Sequence, residues 1–235
     1  IIPSAGHPLP EDGDAAALEA YQKIVDRLNE YGLNIPTEEQ EVGSLTVSNP
    51  RKNYQPIIIA GPAGAGKSTT MRNLLKTLPK SKLGPTYTTR RKRKSDKGNE
   101  RVFVSENEFK KMIASGEFLE YAKQKSGDYY GKRLADFKED ADYLIMEASL
   151  PGVNTLKKAL PNAYTVYLEP AESPELIRQR IIRRGDMSPQ QARGRASKIP
   201  SHIRSSKMMN FNKRIITRQG QFDRIALEIM NDIPK

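Results

Sequence analysis

Residues 57–68 read Ile57-Ile58-Ile59-Ala60-Gly61-Pro62-Ala63-Gly64-Ala65-Gly66-Lys67-Ser68, an apolar run that breaks into a glycine-rich turn ending in Lys-Ser. From Gly61 the stretch fits G-x-x-x-x-G-K-[ST], and the run before it supplies the strand that the pattern needs. A buried strand ending in such a turn points several backbone N–H groups into one concavity. The helix that follows, Thr69 to Leu78 by its spacing, adds the positive end of its dipole. Phosphate oxygens suit that place. Gly61, Ala63, Gly64, Ala65, Gly66, Lys67, Ser68 and Thr69 are the candidate cradle; Lys67 would neutralise the β and γ phosphates, and the Ser68 hydroxyl would ligate a Mg²⁺ bridging them.

Two further apolar runs follow, Tyr143-Leu144-Ile145-Met146 and Tyr164-Thr165-Val166-Tyr167-Leu168, with helical spacing between and after them. Short apolar strands alternating with helices predict an α/β fold with a central parallel sheet covered on both faces. Ligands then sit at the carboxyl ends of the strands, where Gly61 lies. Ser105-Glu106-Asn107-Glu108 spells a capping box and opens a helix that ends near Gly116. Ser173-Pro174 and Ser188-Pro189 each put proline behind a capping serine and open two more. Lys80 to Pro85 reads as a loop, Thr86 to Arg90 as a short extended piece, Arg101 to Val104 as a strand, and Phe118 to Lys123 with Tyr129-Tyr130-Gly131 as hairpin or loop. A short helix is expected over 134–139, and Ile215-Ile216 is a weak last strand before a terminal helix from about Phe222 to Met230.

Upstream, residues 1–13 carry three prolines and two glycines and read as a flexible lead-in. From Asp14 to Tyr31, Leu18, Tyr21, Val25 and Leu28 recur at helical steps, and Gly32 ends the stripe. This amphipathic helix belongs to an N-terminal extension, 1–53. It would dock on the body, 54–235, or on a neighbouring domain or partner. The chain starts at Ile1, as a processed protein or a piece of a longer one would.

The 235 residues carry a formal charge of +11 and no cysteine. Disulfides and thiolate metal sites are excluded, which suits a reducing compartment such as the cytoplasm. Two histidines, His7 and His202, are too few for a histidine zinc site and read as surface residues. No apolar run reaches the roughly 18 residues of a membrane span, so no membrane is expected. The positive surplus attracts polyanions. It gathers at Arg90-Arg91-Lys92-Arg93-Lys94 and between Arg178 and Arg218, and two basic segments around a phosphate loop suit an enzyme with two phosphorylated substrates. No aromatic ladder or recognised module points to nucleic acid.

Several ordered motifs combine: Gly61 to Thr69; Thr86-Tyr87-Thr88-Thr89-Arg90 with Arg93; Gly116-Glu117-Phe118-Leu119-Glu120-Tyr121-Ala122; Tyr129-Tyr130-Gly131; and Arg180 to Gly185. With them, the chain from about Gln55 to Ile233 resembles guanylate kinase, as a divergent member of that family of nucleoside monophosphate kinases. The resemblance implies a core that binds ATP as phosphoryl donor with Mg²⁺, an inserted acceptor-binding subdomain at about 84–140 and an arginine-bearing lid at about 184–200. It also implies that the ligands are small-molecule nucleotides. Carried over by motif, Arg90, Arg93 and Tyr130 hold the acceptor's phosphate, Glu120 takes the N1–H and amino group of guanine, and Thr86 contacts the base where the family has serine. Guanidinium forks match phosphate oxygens. Arg180, Arg184 and Arg195 match lid arginines that, with Lys67, stabilise charge on the transferred phosphoryl. Direct in-line transfer is mostly positioning and charge stabilisation.

The departures shape the choice of acceptor. Arg101 stands near the place of a phosphate-binding tyrosine, and Lys132 replaces a serine that donates to the guanine oxygen. Glu147-Ala148-Ser149 replaces an Asp-x-Asp, so Glu147 can still hold a metal-bound water while Ser149 removes a negative charge beside the base. Glu120 accepting and Lys132 donating would complement guanine, so GMP or dGMP is the first acceptor; uracil or thymine stays open. Arg101, Lys132 and Ser149 also admit a kinase for another small phosphate ester, such as ribose 1,5-bisphosphate. A third alternative is an inactive guanylate-kinase-like binding module of the kind found in membrane-associated scaffold proteins, although the phosphate loop here is intact.

Overall fold

The computed structural model describes residues 54–93, 96, 98–124, 126–133, 135–136, 141–185 and 187–234. The amphipathic helix expected at Asp14 to Tyr31 lies outside them, as does most of the short helix expected at 134–139.

The apolar runs around the glycine-rich turn are the middle of a sheet. β1 (Gln55–Ala60) lies between β7 (Tyr143–Glu147) and β8 (Tyr164–Pro170), with β2 (Ser81–Leu83) and β9 (Lys213–Thr217) on the edges, in the order β2-β7-β1-β8-β9 and parallel throughout. Side chains alternate across it, as the two-residue period of a strand requires. Ile58, Ala60, Leu144 and Met146 point toward α3 (Leu150–Ala159). Ile57, Ile59, Ile145 and Val166 point toward α1 (Lys67–Thr77) and α7 (Phe222–Asp232). Both faces are dry, so the strands read as unbroken apolar runs. The edge strand β2 lies where a loop was expected. Ser81 and Lys82 carry no strand signal of their own; β7 supplies the ladder, and the Gly84 N–H continues it to Ile145 O at 2.9 Å.

A second sheet stands beside the first, in the order β4 (Arg101–Phe103), β3 (Thr86–Thr88), β6 (Tyr129–Arg133), β5 (Phe118–Lys123). β5 and β6 form the hairpin, antiparallel with Glu120 opposite Lys132, and β3 pairs antiparallel with β6 and parallel with β4. One face packs on α2 (Glu106–Ala114), where Phe109 stacks on Phe118 at 4.4 Å. The other face is turned to the cleft. Three helices complete the described residues. In α4 (Pro174–Arg183), α5 (Pro189–Ala196) and α6 (Ile199–Lys207), Ile177, Ile181, Ala192, Ala196 and Ile199 form a small core of their own. Serines 105, 149, 173 and 188 cap α2, α3, α4 and α5. Among the described residues no helix is long and apolar enough to cross a membrane.

Candidate active site

The carboxyl ends of the central strands, the open face of the second sheet and the α4–α6 unit enclose a cleft of about 1460 Å³. That exceeds the roughly 300–1,000 Å³ of an ordinary ligand pocket and leaves room for two ligands end to end. The glycine-rich loop lines one end through Gly61, Ala63, Gly64, Gly66, Lys67, Ser68 and Thr69. Ala65 does not line it; its side chain is fully buried beneath the loop. Two glycines cannot change. Gly66 sits at φ 83, and a Cβ there would lie 1.9 Å from the Phe222 ring, while one on Gly61 would lie 2.5 Å from Leu168 O. The turn is therefore clamped between α7 and β8.

Lys67 folds back over its own loop, its Nζ donating to Gly61 O at 2.9 Å and Pro62 O at 3.0 Å. Burial lowers its pKa, opposed by the charge of Glu147 and reinforced by Arg101 and Arg195. Ser68 lies in the first turn of α1, and no protein group among the described residues claims its hydroxyl. A single free hydroxyl fits Mg²⁺, an ion that takes most of its ligands from phosphates and water.

Register explains the other end of the cleft. Arg101 pairs with Thr86 in the β3–β4 ladder, and Lys132 pairs with Glu120 in the hairpin. Thr86 touches Lys132, so Arg101, Thr86, Lys132 and Glu120 form one row across the sheet. Two residues further along, Thr88 and Tyr130 form a second row on the same face. Arg90 and Arg93 follow β3 at the end of that row. All six of the charged and tyrosine side chains in these positions line the cleft, as do Thr86, Glu147 and Ser149.

Several of these groups are already engaged. Arg90 makes a bidentate pair with Asp96 at 2.7 and 2.9 Å, and the Arg93 N–H donates to the same carboxylate at 2.7 Å. Arg101 pairs with Glu147 across the cleft and lies 3.7 Å from Asp96. Burial pushes the Asp96 and Glu147 carboxyls up, but hydrogen bonds and the surrounding cations outweigh it and hold both below their usual range. The Arg93 guanidinium, by contrast, is pushed down to about 10 by burial and by Arg195 and Arg90. Tyr130 and Asp96 offset this only in part, and an anion would relieve it further. Burial raises the pKa of Glu120, against the pull of Lys132. The Ser149 Oγ accepts the Gly152 N–H at 3.2 Å and so caps α3 as well as facing the cleft.

Of the three arginines that the family resemblance assigns to a lid, Arg184 and Arg195 line the cleft. Arg180 does not come with them, because its guanidinium is held by Glu172 at 2.9 Å. Three participants have no obvious signal in the sequence. Asp96 interrupts the basic run and becomes its counter-ion. Glu100, almost fully buried, receives Arg72 of α1 at 2.7 Å, a second bridge from the core to the acceptor segment. His202, expected at the surface, lines the cleft instead. Its Nδ1 lies 3.0 Å from the Tyr167 hydroxyl, and burial together with Lys67 lowers its pKa to about 4, which keeps it neutral.

The family model described as Guanylate kinase matches residues 53–231. The chain belongs to the guanylate kinase family. A guanylate kinase of Symbiobacterium thermophilum is 36% identical over 152 residues, covering 63% of this chain and 71% of the relative. One of Trichormus variabilis is 30% identical over 154 residues, covering 64% and 76%. Among solved structures, a guanylate kinase from Anaplasma phagocytophilum superposes with a TM-score of 0.56 over 78% of this chain and 88% of its own, at 19% identity, a likeness of fold. The protein is therefore a guanylate-kinase-like phosphotransferase.

Proposed function

We propose that the chain transfers the γ-phosphoryl group of ATP directly to a nucleoside monophosphate, with GMP or dGMP as acceptor. The observation that carries this is the pair of rows on the second sheet. Thr86 and Glu120 stand in the row nearer the core, and Tyr130 stands two residues away with Arg90 and Arg93 beyond it, so base-reading and phosphate-holding groups are separated by about 7 Å along the strands.

In this mechanism the loop N–H groups and the dipole of α1 bind the donor's phosphates, and Lys67 leaves Gly61 O and Pro62 O to reach them. Ser68 would hold Mg²⁺, which when bound neutralises charge between the β and γ phosphates. Arg90, Arg93 and Tyr130 take the acceptor's phosphate, with Asp96 giving up Arg90 or sharing it. Glu120 accepts from the base, and Arg184 and Arg195 close over the transferred group. No covalent intermediate is required. The two additional cations of the acceptor pocket are internally engaged, Arg101 by Glu147 and Lys132 by Gly84 and Thr86, which weighs against an acceptor with more phosphate such as ribose 1,5-bisphosphate.

An ADP-release assay with Mg·ATP against AMP, GMP, CMP, UMP, their deoxy forms and ribose 1,5-bisphosphate tests the proposal. A Lys67-dependent preference for GMP or dGMP is expected. Equal turnover of all the monophosphates, or a preference for the sugar bisphosphate, would refute it.

A further inference from the structure

Lys132 is an unusual residue for the middle of a sheet. Its side chain is 1% exposed, among the largest fully buried side chains described, although it faces the cleft wall. The ammonium is compensated locally: Nζ donates to Gly84 O at 2.6 Å and to Thr86 Oγ1 at 2.9 Å. An ammonium has three donors and no acceptor, whereas a threonine hydroxyl has one donor and two acceptor lone pairs. In the Lys132–Thr86 bond the direction is therefore fixed. Thr86 must accept, and its own proton has to go elsewhere. Among the described residues no protein group receives it, and Thr86 lines the cleft in the same row as Glu120.

We propose that Lys132 is a positioning residue: by donating to Thr86 Oγ1 it turns the Thr86 hydroxyl into an obligate donor toward the acceptor's base, so that Thr86 and Glu120 together select an edge carrying a carbonyl beside an N–H. This rests on the nucleoside monophosphate function proposed above. Glu120 as a carboxylate only accepts, and Thr86 so held only donates into the cleft. An adenine edge offers an amino donor and a bare ring nitrogen, the opposite order at both places. Without Lys132 a threonine hydroxyl would rotate to accept from the adenine amine, and the pocket would lose its sense of direction. The same change would remove the positive charge that opposes the burial-driven rise of the Glu120 pKa, leaving Glu120 closer to a protonated carboxyl that can donate. Both consequences act in one direction.

A pH profile follows. Burial lowers the Lys132 pKa to about 8, with Glu147, Glu120 and Asp136 opposing and Arg101 adding to the fall. A neutral amine has a lone pair and can accept from Thr86, so base selection should weaken as pH rises through about 8.

The test is the ratio of kcat/KM for GMP to that for AMP, with IMP as a second 6-oxopurine, alongside equilibrium binding of the same nucleotides. It uses the native chain and K132M, T86V and T86S. The expected result is a ratio at least tenfold lower in K132M and T86V, retained in T86S, with IMP grouping with GMP. In the native chain the ratio should fall between about pH 7 and about pH 9, and T86V should show no such fall. If K132M is folded and keeps the native ratio, the proposal is overturned while GMP phosphorylation stands. If K132M does not fold, T86V against T86S decides: retention of the ratio in T86V overturns the proposal. A native chain that binds and turns over GMP, IMP and AMP alike overturns both the proposal and the choice of acceptor beneath it.

Discussion

The two ends of the cleft are built on different principles. The proposed donor end is backbone: a turn between β1 and α1 aims N–H groups inward, and its two polar side chains, Lys67 and Ser68, come from adjacent positions. The acceptor end is side chains, drawn from β3, β4, β5, β6 and the segment after β3, and assembled only when the strands pair. At the donor end local geometry constrains the residues, as at Gly66, where a Cβ would meet Phe222. At the proposed acceptor end charge constrains them, and Arg90, Arg101 and Lys132 are each already engaged by other groups of the protein. A backbone cradle tolerates little change in sequence. A side-chain row tolerates exchanges, provided that every buried charge finds a partner.

Four experiments would break or sharpen that contrast. Lys67→Ala, which removes the charged side chain of the glycine-rich loop, should reduce turnover by about 10²–10³-fold and leave thermal unfolding almost unchanged. Steady-state kinetics with a melting curve check it, and a loss confined to KM would argue against stabilisation of the transferred group. Glu147→Gln should act mainly on stability, because it leaves Arg101 with only its longer 3.7 Å contact to Asp96 and breaks its bridge between the two sheets. A loss of about 3 kcal/mol is expected by denaturant titration, the lower end for removing one partner of a buried pair, since both side chains keep some exposure. The sign of its pH dependence is fixed as well. The Glu147 pKa is lower in the folded protein than the ordinary 4.5, so its contribution is present above about that pH and is lost as the medium is acidified below it. The native protein should therefore lose stability in acid more steeply than Glu147→Gln.

Smaller effects distinguish individual arginines. Arg90→Lys keeps the charge but loses the fork that grips Asp96, and should raise the acceptor's KM by about tenfold with little change in kcat. A kcat effect larger than the KM effect would move Arg90 from holding the acceptor to the transfer itself. Arg180→Ala, which removes a partner of Glu172, should change turnover less than threefold, about 0.6 kcal/mol, whereas Arg195→Ala should change it by tenfold or more. Equal losses from the two would mean that Arg180 leaves Glu172 during the reaction and joins the cleft.

Prediction from sequence divided along the same line. Strands β1, β7 and β8 were evident because burial on both faces makes them continuous apolar runs, and the serine-capped helices were evident because capping is a local interaction between neighbours. β2 was missed: a three-residue polar edge strand derives its structure from β7, not from its own residues. In the cleft, Glu120, Tyr130, Arg90 and Thr86 are legible as candidates through motifs. Their alignment in two rows is not, since register joins positions 46 residues apart, such as Thr86 and Lys132. His202 looked like a surface residue because nothing near it in the chain indicates that α6 packs against Tyr167.

By itself the sequence determined the α/β class, the place of the glycine-rich loop at the end of a central strand, and the residue types proposed to hold two phosphorylated ligands. These depend on interactions between neighbours along the chain: periodicity, turn geometry and capping. Only the tertiary structure decided that Asp96 neutralises Arg90, that Arg101 bridges to Glu147, that Arg180 turns to Glu172 and that Lys132 lies buried beneath Thr86. Those choices depend on desolvation and on distances between charges, quantities that exist only once distant segments have been brought within a few ångströms of one another.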